Sequence, residues 1–124
     1  MTTKIAIVED DNAIAQMYRY KLESDGHTIA TAANGRKGYE LLETFQPDLV
    51  LLDIRMPEMN GDKMLQLVRE QDWGSDMRVI VLTNISRSEA PSVFRFLGVD
   101  RYIVKAHYTP TQVSQIVHEV LHIK

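Results

Sequence analysis

Five short apolar runs rich in β-branched residues recur along the chain: Lys4 to Val8, His27 to Thr31, Leu49 to Leu52, Arg78 to Leu82 and Arg101 to Val104. Each has the length and residue type of a strand buried on both faces. Between them, apolar residues return at helical spacing: Ile14, Met17, Tyr18 and Leu22; Leu41, Leu42 and Phe45; Met64, Leu67 and Val68; Val93, Phe94 and Leu97; Val113, Ile116, Val117, Val120 and Leu121. This period predicts five amphipathic helices.

The joints carry matching punctuation. Asp11 and Asn12, Asn60-Gly61, Ser86 with Glu89, and Thr109-Pro110 suit helix starts, while Gly26 and Gly98 suit helix ends. Pro91 is placed in the first turn of the fourth helix, where a missing N–H costs little. Strict alternation of strand and helix then implies a doubly wound α/β fold, a five-stranded parallel sheet with helices on both faces and right-handed crossovers.

The 124 residues suit one domain, residues 1–124, and show no repeats or linkers. Absence of cysteine excludes thiol chemistry and cysteine-ligated metals. The apolar runs are strand-sized, and Met1-Thr2-Thr3-Lys4 lacks signal-peptide architecture, so no membrane association and a cytoplasmic location are expected. A net charge of −3 with scattered Lys and Arg gives no footprint for direct nucleic-acid binding.

In such sheets ligands sit beyond the carboxyl ends of the strands. There the first run ends in Glu9-Asp10-Asp11, the third in Asp53, the fourth in Thr83 and the fifth in Lys105, whereas the second ends blandly in Ala32-Ala33. If the first and third strands are neighbours, Asp53 meets Glu9 and Asp10. Two unit charges about 4 Å apart repel by roughly 4 kcal/mol at an effective dielectric near 20, so a counter-charge is needed. Carboxylate oxygens without nearby His or Cys suit Mg²⁺, which leaves part of its shell for water and phosphate oxygens. A metal there would position a phosphoryl group for attack by Asp53, with the Lys105 ammonium and Thr83 hydroxyl stabilising its oxygens.

The combination of Val8-Glu9-Asp10-Asp11, Leu51-Leu52-Asp53-Ile54-Arg55-Met56-Pro57, Asn60-Gly61, Leu82-Thr83 and Tyr102-Ile103-Val104-Lys105 resembles, in order and spacing, the receiver domain of bacterial two-component response regulators. The resemblance spans essentially the whole chain. It implies a flavodoxin-like sheet of order 2-1-3-4-5 and an aspartyl-phosphate switch rather than an enzyme. Glu9 and Asp10 match the acidic pair, Asp53 the phosphoacceptor, the Arg55 backbone carbonyl a third metal ligand, Thr83 and Lys105 the phosphate contacts, and Tyr102 the aromatic switch position. The implied cofactor is Mg²⁺. The implied donor is a histidine kinase, a phosphotransfer protein or a small acyl phosphate. The implied output is a protein partner, or a second copy on phosphorylation, at the face of the fourth helix, fifth strand and fifth helix.

Several residues also have ordinary readings. Asp53 alone would pass for a turn residue, Asp11 suits helix capping better than metal binding, and Tyr102 equally suits packing. His118 and His122 stand one helical turn apart without an evident third ligand, and His27 and His107 have no visible partners. Trp73 reads as a packing residue. Departures from the family pattern are Ala106 in place of the usual proline after the lysine, with Asn84 and Ile85 beside the threonine. Bulky Ile85 would hinder attacking water, so slow loss of the phosphoryl group is expected. Of the competing functions, an aspartyl-phosphate hydrolase wants a second Asp where Arg55 stands. A flavin or nucleotide module wants a glycine-rich first loop, and a degenerate receiver wants a broken site.

Overall fold

The computed structural model describes residues 3–123. Expectations resting on Met1, Thr2 and Lys124 lie outside the described residues. The strands are β1 (Lys4–Val8), β2 (Thr28–Ala32), β3 (Leu49–Leu52), β4 (Arg78–Thr83) and β5 (Arg101–Val104). The helices are α1 (Asn12–Ser24), α2 (Gly35–Phe45), α3 (Gly61–Arg69) and α4 (Pro110–Val120). All strand pairs are parallel, in the order β2-β1-β3-β4-β5.

Side chains alternate across each strand, so the five runs feed two cores. Ile5, Ile7, Leu49, Leu51, Ile80, Leu82 and Ile103 pack with Ala15, Tyr18 and Leu22 of α1 and Val113, Val117 and Val120 of α4. Ala6, Val8, Val50, Leu52, Val79 and Val81 pack with Leu42 of α2 and Met64, Leu65 and Val68 of α3. Burial on both sides is why β1, β3 and β4 read as continuous apolar stretches, whereas the edge strands β2 and β5 are only partly buried.

The caps anchor the helices at the functional edge. Asp11 accepts from the Ile14 amide at 3.2 Å to start α1, and Asn34 accepts from Lys37 to start α2. Thr109 and Gln112 form a reciprocal capping box at α4, with Pro110 at its first position. Asn60 precedes α3 but does not cap it; its Oδ1 accepts from the Met56 amide instead and folds the β3–α3 loop. Gly26 and Gly98 take φ of +97° and +67°, the left-handed conformation expected after a helical segment.

One expected element is corrected. The segment assigned to the fourth of five helices forms two short 3₁₀ turns, Arg87–Glu89 and Ser92–Phe96, so the fold has four α-helices among the described residues. Ala90 (ψ 149°) and Pro91 (ψ 131°) are extended between them. The proline ring disfavours helical geometry in the residue before it, and the ring nitrogen has no hydrogen to donate. Ser86 accordingly bonds the Glu89 carboxylate at 3.1 Å and makes no side-chain cap. The segment's far end is held by Arg69, whose guanidinium donates to the carbonyls of Leu97, Gly98, Gly74, Ser75 and Met77.

Candidate functional site

Register decides which strand ends meet. Val8 pairs with Leu52, Leu52 with Val81, and Thr83 with Val104. Glu9, Asp53 and Lys105, each one residue past a paired position, and Thr83, the last paired residue of β4, therefore lie along one edge of the sheet. The Asp53 amide donates to Val8 O at 3.0 Å and the Glu9 amide to Ala32 O at 3.0 Å, which extends the ladder to the carboxylates themselves.

One carboxylate oxygen from each of Glu9, Asp10 and Asp53 lies within 4.8 Å of the others. Glu9 and Asp53 are buried and Asp10 is exposed. The Lys105 ammonium reaches across the strand ends to Asp53 Oδ2 at 3.0 Å and also bonds Glu9 Oε1. Asp53 Oδ1 accepts from the Ile54 amide at 2.7 Å.

With all three carboxylates ionised, the one ammonium leaves two negative charges at the edge. Burial pushes the Glu9 carboxyl up to about 7 even with Lys105 bonded to it, and Asp53 adds to the rise. Burial pulls Lys105 down, but its bonds to Glu9 and Asp53 outweigh this and raise it overall, so it stays an ammonium. This all-oxygen donor set with a charge deficit of two, open on the Asp10 side, fits a hard divalent cation of the Mg²⁺ kind.

The loop after Asp53 is held close. The Gly61 amide donates to Ile54 O at 2.7 Å, and a Cβ on Gly61 would stand 2.1 Å from Asp53 O, so only glycine lets α3 start here. Arg55 lies in this loop with an exposed side chain. Across the edge Thr83 is buried, its Oγ1 accepting weakly from the Ile85 amide at 3.4 Å. Tyr102 is half-buried and its hydroxyl donates to Ile85 O at 2.7 Å, tying β5 to the irregular segment. Asn84 is exposed beside Thr83, and the Lys105–Ala106 peptide is trans.

Asp11 caps α1 with its side chain and is not among the clustered carboxylates, though its backbone amide donates to Glu9 Oε2 at 3.2 Å. Trp73 stands edge-on to Tyr39 with ring centroids 5.7 Å apart, away from the strand ends. His27, read from the sequence as lacking a partner, has one: its Nε2 lies 2.9 Å from Nε2 of His118. The two are 91 residues apart in sequence, and no local pattern could have paired them.

Residues 5–118 match the family model described as the response regulator receiver domain. Among curated proteins, the chain is 30% identical to the alkaline phosphatase synthesis transcriptional regulatory protein PhoP of Bacillus subtilis, over 98% of this chain and 49% of that one. It is 32% identical to the phosphate regulon transcriptional regulatory protein PhoB of Rhizobium meliloti, over 94% of this chain and 51% of that one. The chain thus spans about half the length of these relatives. Among solved structures, a CheY-like receiver domain protein from Methanospirillum hungatei superposes with a TM-score of 0.90 at 28% identity, covering 98% of this chain and 95% of that one. The response regulator TrrA of Thermotoga maritima, solved in complex with Mg²⁺ and beryllofluoride, gives 0.84 at 26% identity over 96% of this chain and 99% of that one.

Proposed function

The chain belongs to the response regulator receiver domain family, and from that premise we propose that it is a phosphoacceptor switch whose acceptor is Asp53. The observation that carries this reading is the meeting of Asp53 with Glu9, Asp10 and Lys105 at one sheet edge.

Glu9, Asp10, Asp53 and the Arg55 carbonyl are the groups proposed to hold Mg²⁺. Bound there, the ion supplies positive charge that neutralises the carboxylates and a phosphoryl group together. An Asp53 carboxylate oxygen attacks phosphorus of a phosphohistidine in a partner histidine kinase or phosphotransfer protein. The P–N bond breaks as the O–P bond forms, and the imidazole leaves with the electron pair. A small acyl phosphate serves as an alternative donor. Lys105, already 3.0 Å from Asp53 Oδ2, exchanges a carboxylate contact for a phosphoryl oxygen, and Thr83 turns its hydroxyl from the Ile85 amide to another.

The new group adds about −1.5 to −2 charge and three acceptor oxygens. Movement of Thr83 loosens Ile85, the same residue whose carbonyl holds Tyr102, so Tyr102 and the 3₁₀ segment change together. The surface of that segment, β5 and α4 is then the output, read by a downstream protein or a second copy of the chain. Direct nucleic-acid contact by residues 1–124, proposed to act as a single receiver domain, forms no part of this reading. The cytoplasm is the compartment that suits such a relay, and among the described residues no helix is long and apolar enough to cross a membrane. The domain assists its own phosphorylation without turning over a substrate. Exposed Asn84 and half-buried Ile85 at the rim support slow loss of the phosphoryl group, an idea that decay within seconds would sink.

Incubation with acetyl phosphate and Mg²⁺ should add one phosphoryl group by mass to the wild type and none to Asp53→Asn. Modification that persists in Asp53→Asn, or that proceeds without a divalent cation, would overturn the mechanism.

A further inference from the structure

A buried histidine, His27, sits with the partly buried His118 and the exposed Asp25 where the end of α1 meets α4, at the edge of the molecule opposite Asp53. Asp25, the C-cap of α1, accepts from Ser114 Oγ at 2.5 Å and pairs with Lys21 at 3.3 Å. Gly26 turns the chain, and His27 follows, 8% exposed. Its Nε2 sits 2.9 Å from Nε2 of His118, the rings 5.0 Å apart and tilted by 56°. Ser114 and His118 are four residues apart on α4 and so share one face of that helix. Two side-chain bonds therefore fasten α4 to the turn that enters β2.

The histidine bond has a proton count. Two Nε2 atoms at hydrogen-bond distance need one hydrogen between them. A neutral pair provides it, and so does a singly protonated pair. A doubly protonated pair does not, because two N–H groups then face one another with like charge. The charged groups acting on His27 are His118 from α4, which opposes its protonation, and Asp25 from the α1 cap, which favours it. Asp25 is already engaged by Lys21 and Ser114.

We propose that the His27–His118 bond is a proton-operated clasp that seats α4 against the α1–β2 turn and releases it when both imidazoles are protonated. Burial acts in the same direction, depressing the affinity of His27 for a proton, and the charge of His118 depresses it further. The clasp lies on α4 and bears on how firmly one wall of the proposed output surface is held. Its existence does not depend on the chemistry of Asp53.

The test is amide hydrogen exchange of the intact protein, corrected for intrinsic rates, between about pH 7.5 and about pH 5, which brackets the ordinary imidazole value of about 6.5. Residues of α4 in the wild type should lose protection roughly tenfold over this range while β3 holds, as expected of local opening. His118→Gln, which can bond but cannot titrate there, should show little pH dependence in α4. Should that variant fail to fold, His27→Gln carries the same comparison. Equal loss of protection in wild type and variant, or imidazole NMR resonances titrating independently at ordinary values, would overturn the proposal.

Discussion

At the scale of single residues, the site is a contest between burial and charge that Lys105 only half resolves. Its ammonium faces both Glu9 and Asp53, so Lys105→Met leaves two buried carboxylates without their cation. Losing charge-assisted bonds of this kind costs about 2 kcal/mol. Stability without metal should fall by that order in denaturant titrations, and Mg²⁺ should restore much of it. Phosphorylation by acetyl phosphate should slow by about a hundredfold, because the lost ammonium would otherwise stabilise the developing phosphoryl charge; an unchanged rate would show that Lys105 plays no such part. The carboxylates, Thr83 and Lys105 were legible in the sequence because each follows directly on a buried run, and parallel strands deliver their ends to one edge. The histidine pair and the fivefold grip of Arg69 were not. They depend on which helix lies beside which turn, and nothing local to His27, His118 or Arg69 encodes that.

At the scale of elements, four helices and all five strands agree with the hydrophobic period, with the second strand shifted by one residue toward Ala32. The fourth predicted helix fails because the local veto of Ala90-Pro91 outweighs the helical spacing of Val93, Phe94 and Leu97. The region keeps its place through its ends, Tyr102 on Ile85 and Arg69 on Leu97 and Gly98. Pro91→Ala returns an N–H and frees Ala90 to become helical, so Cα chemical shifts across residues 87–96 should move toward helix; unaltered shifts would place the cause elsewhere. Arg69→Met removes a half-buried guanidinium from five carbonyls at once. A loss of about 3 kcal/mol is expected from removing charge-assisted bonds to three part-buried and two exposed carbonyls together, seen as a melting temperature lower by about 10 °C.

At the scale of the whole molecule, two opposite pH dependences coexist. Glu9 is raised above its unfolded value to about 7, so the folded state binds the extra proton and stability declines as pH rises from the ordinary carboxylate range through 7. His27 is depressed, so the unfolded state binds the extra proton and stability declines as pH falls below about 6.5. A divalent cation requires Glu9 deprotonated. Added Mg²⁺ should therefore raise the melting temperature more at about pH 8 than at about pH 5.5, and an equal rise at both would remove Glu9 from the ligand set.

Trp73 is the single tryptophan of the chain, and it leans on Tyr39 in the layer that α2 and α3 build against one face of the sheet. Its emission is thus a one-sided witness: it sees that layer and is blind to α1 and α4. Circular dichroism sees both. Denaturant curves from the two probes should superimpose if the faces melt together, and a fluorescence midpoint displaced from the dichroism midpoint would mean that the two halves of the sandwich dissolve in turn.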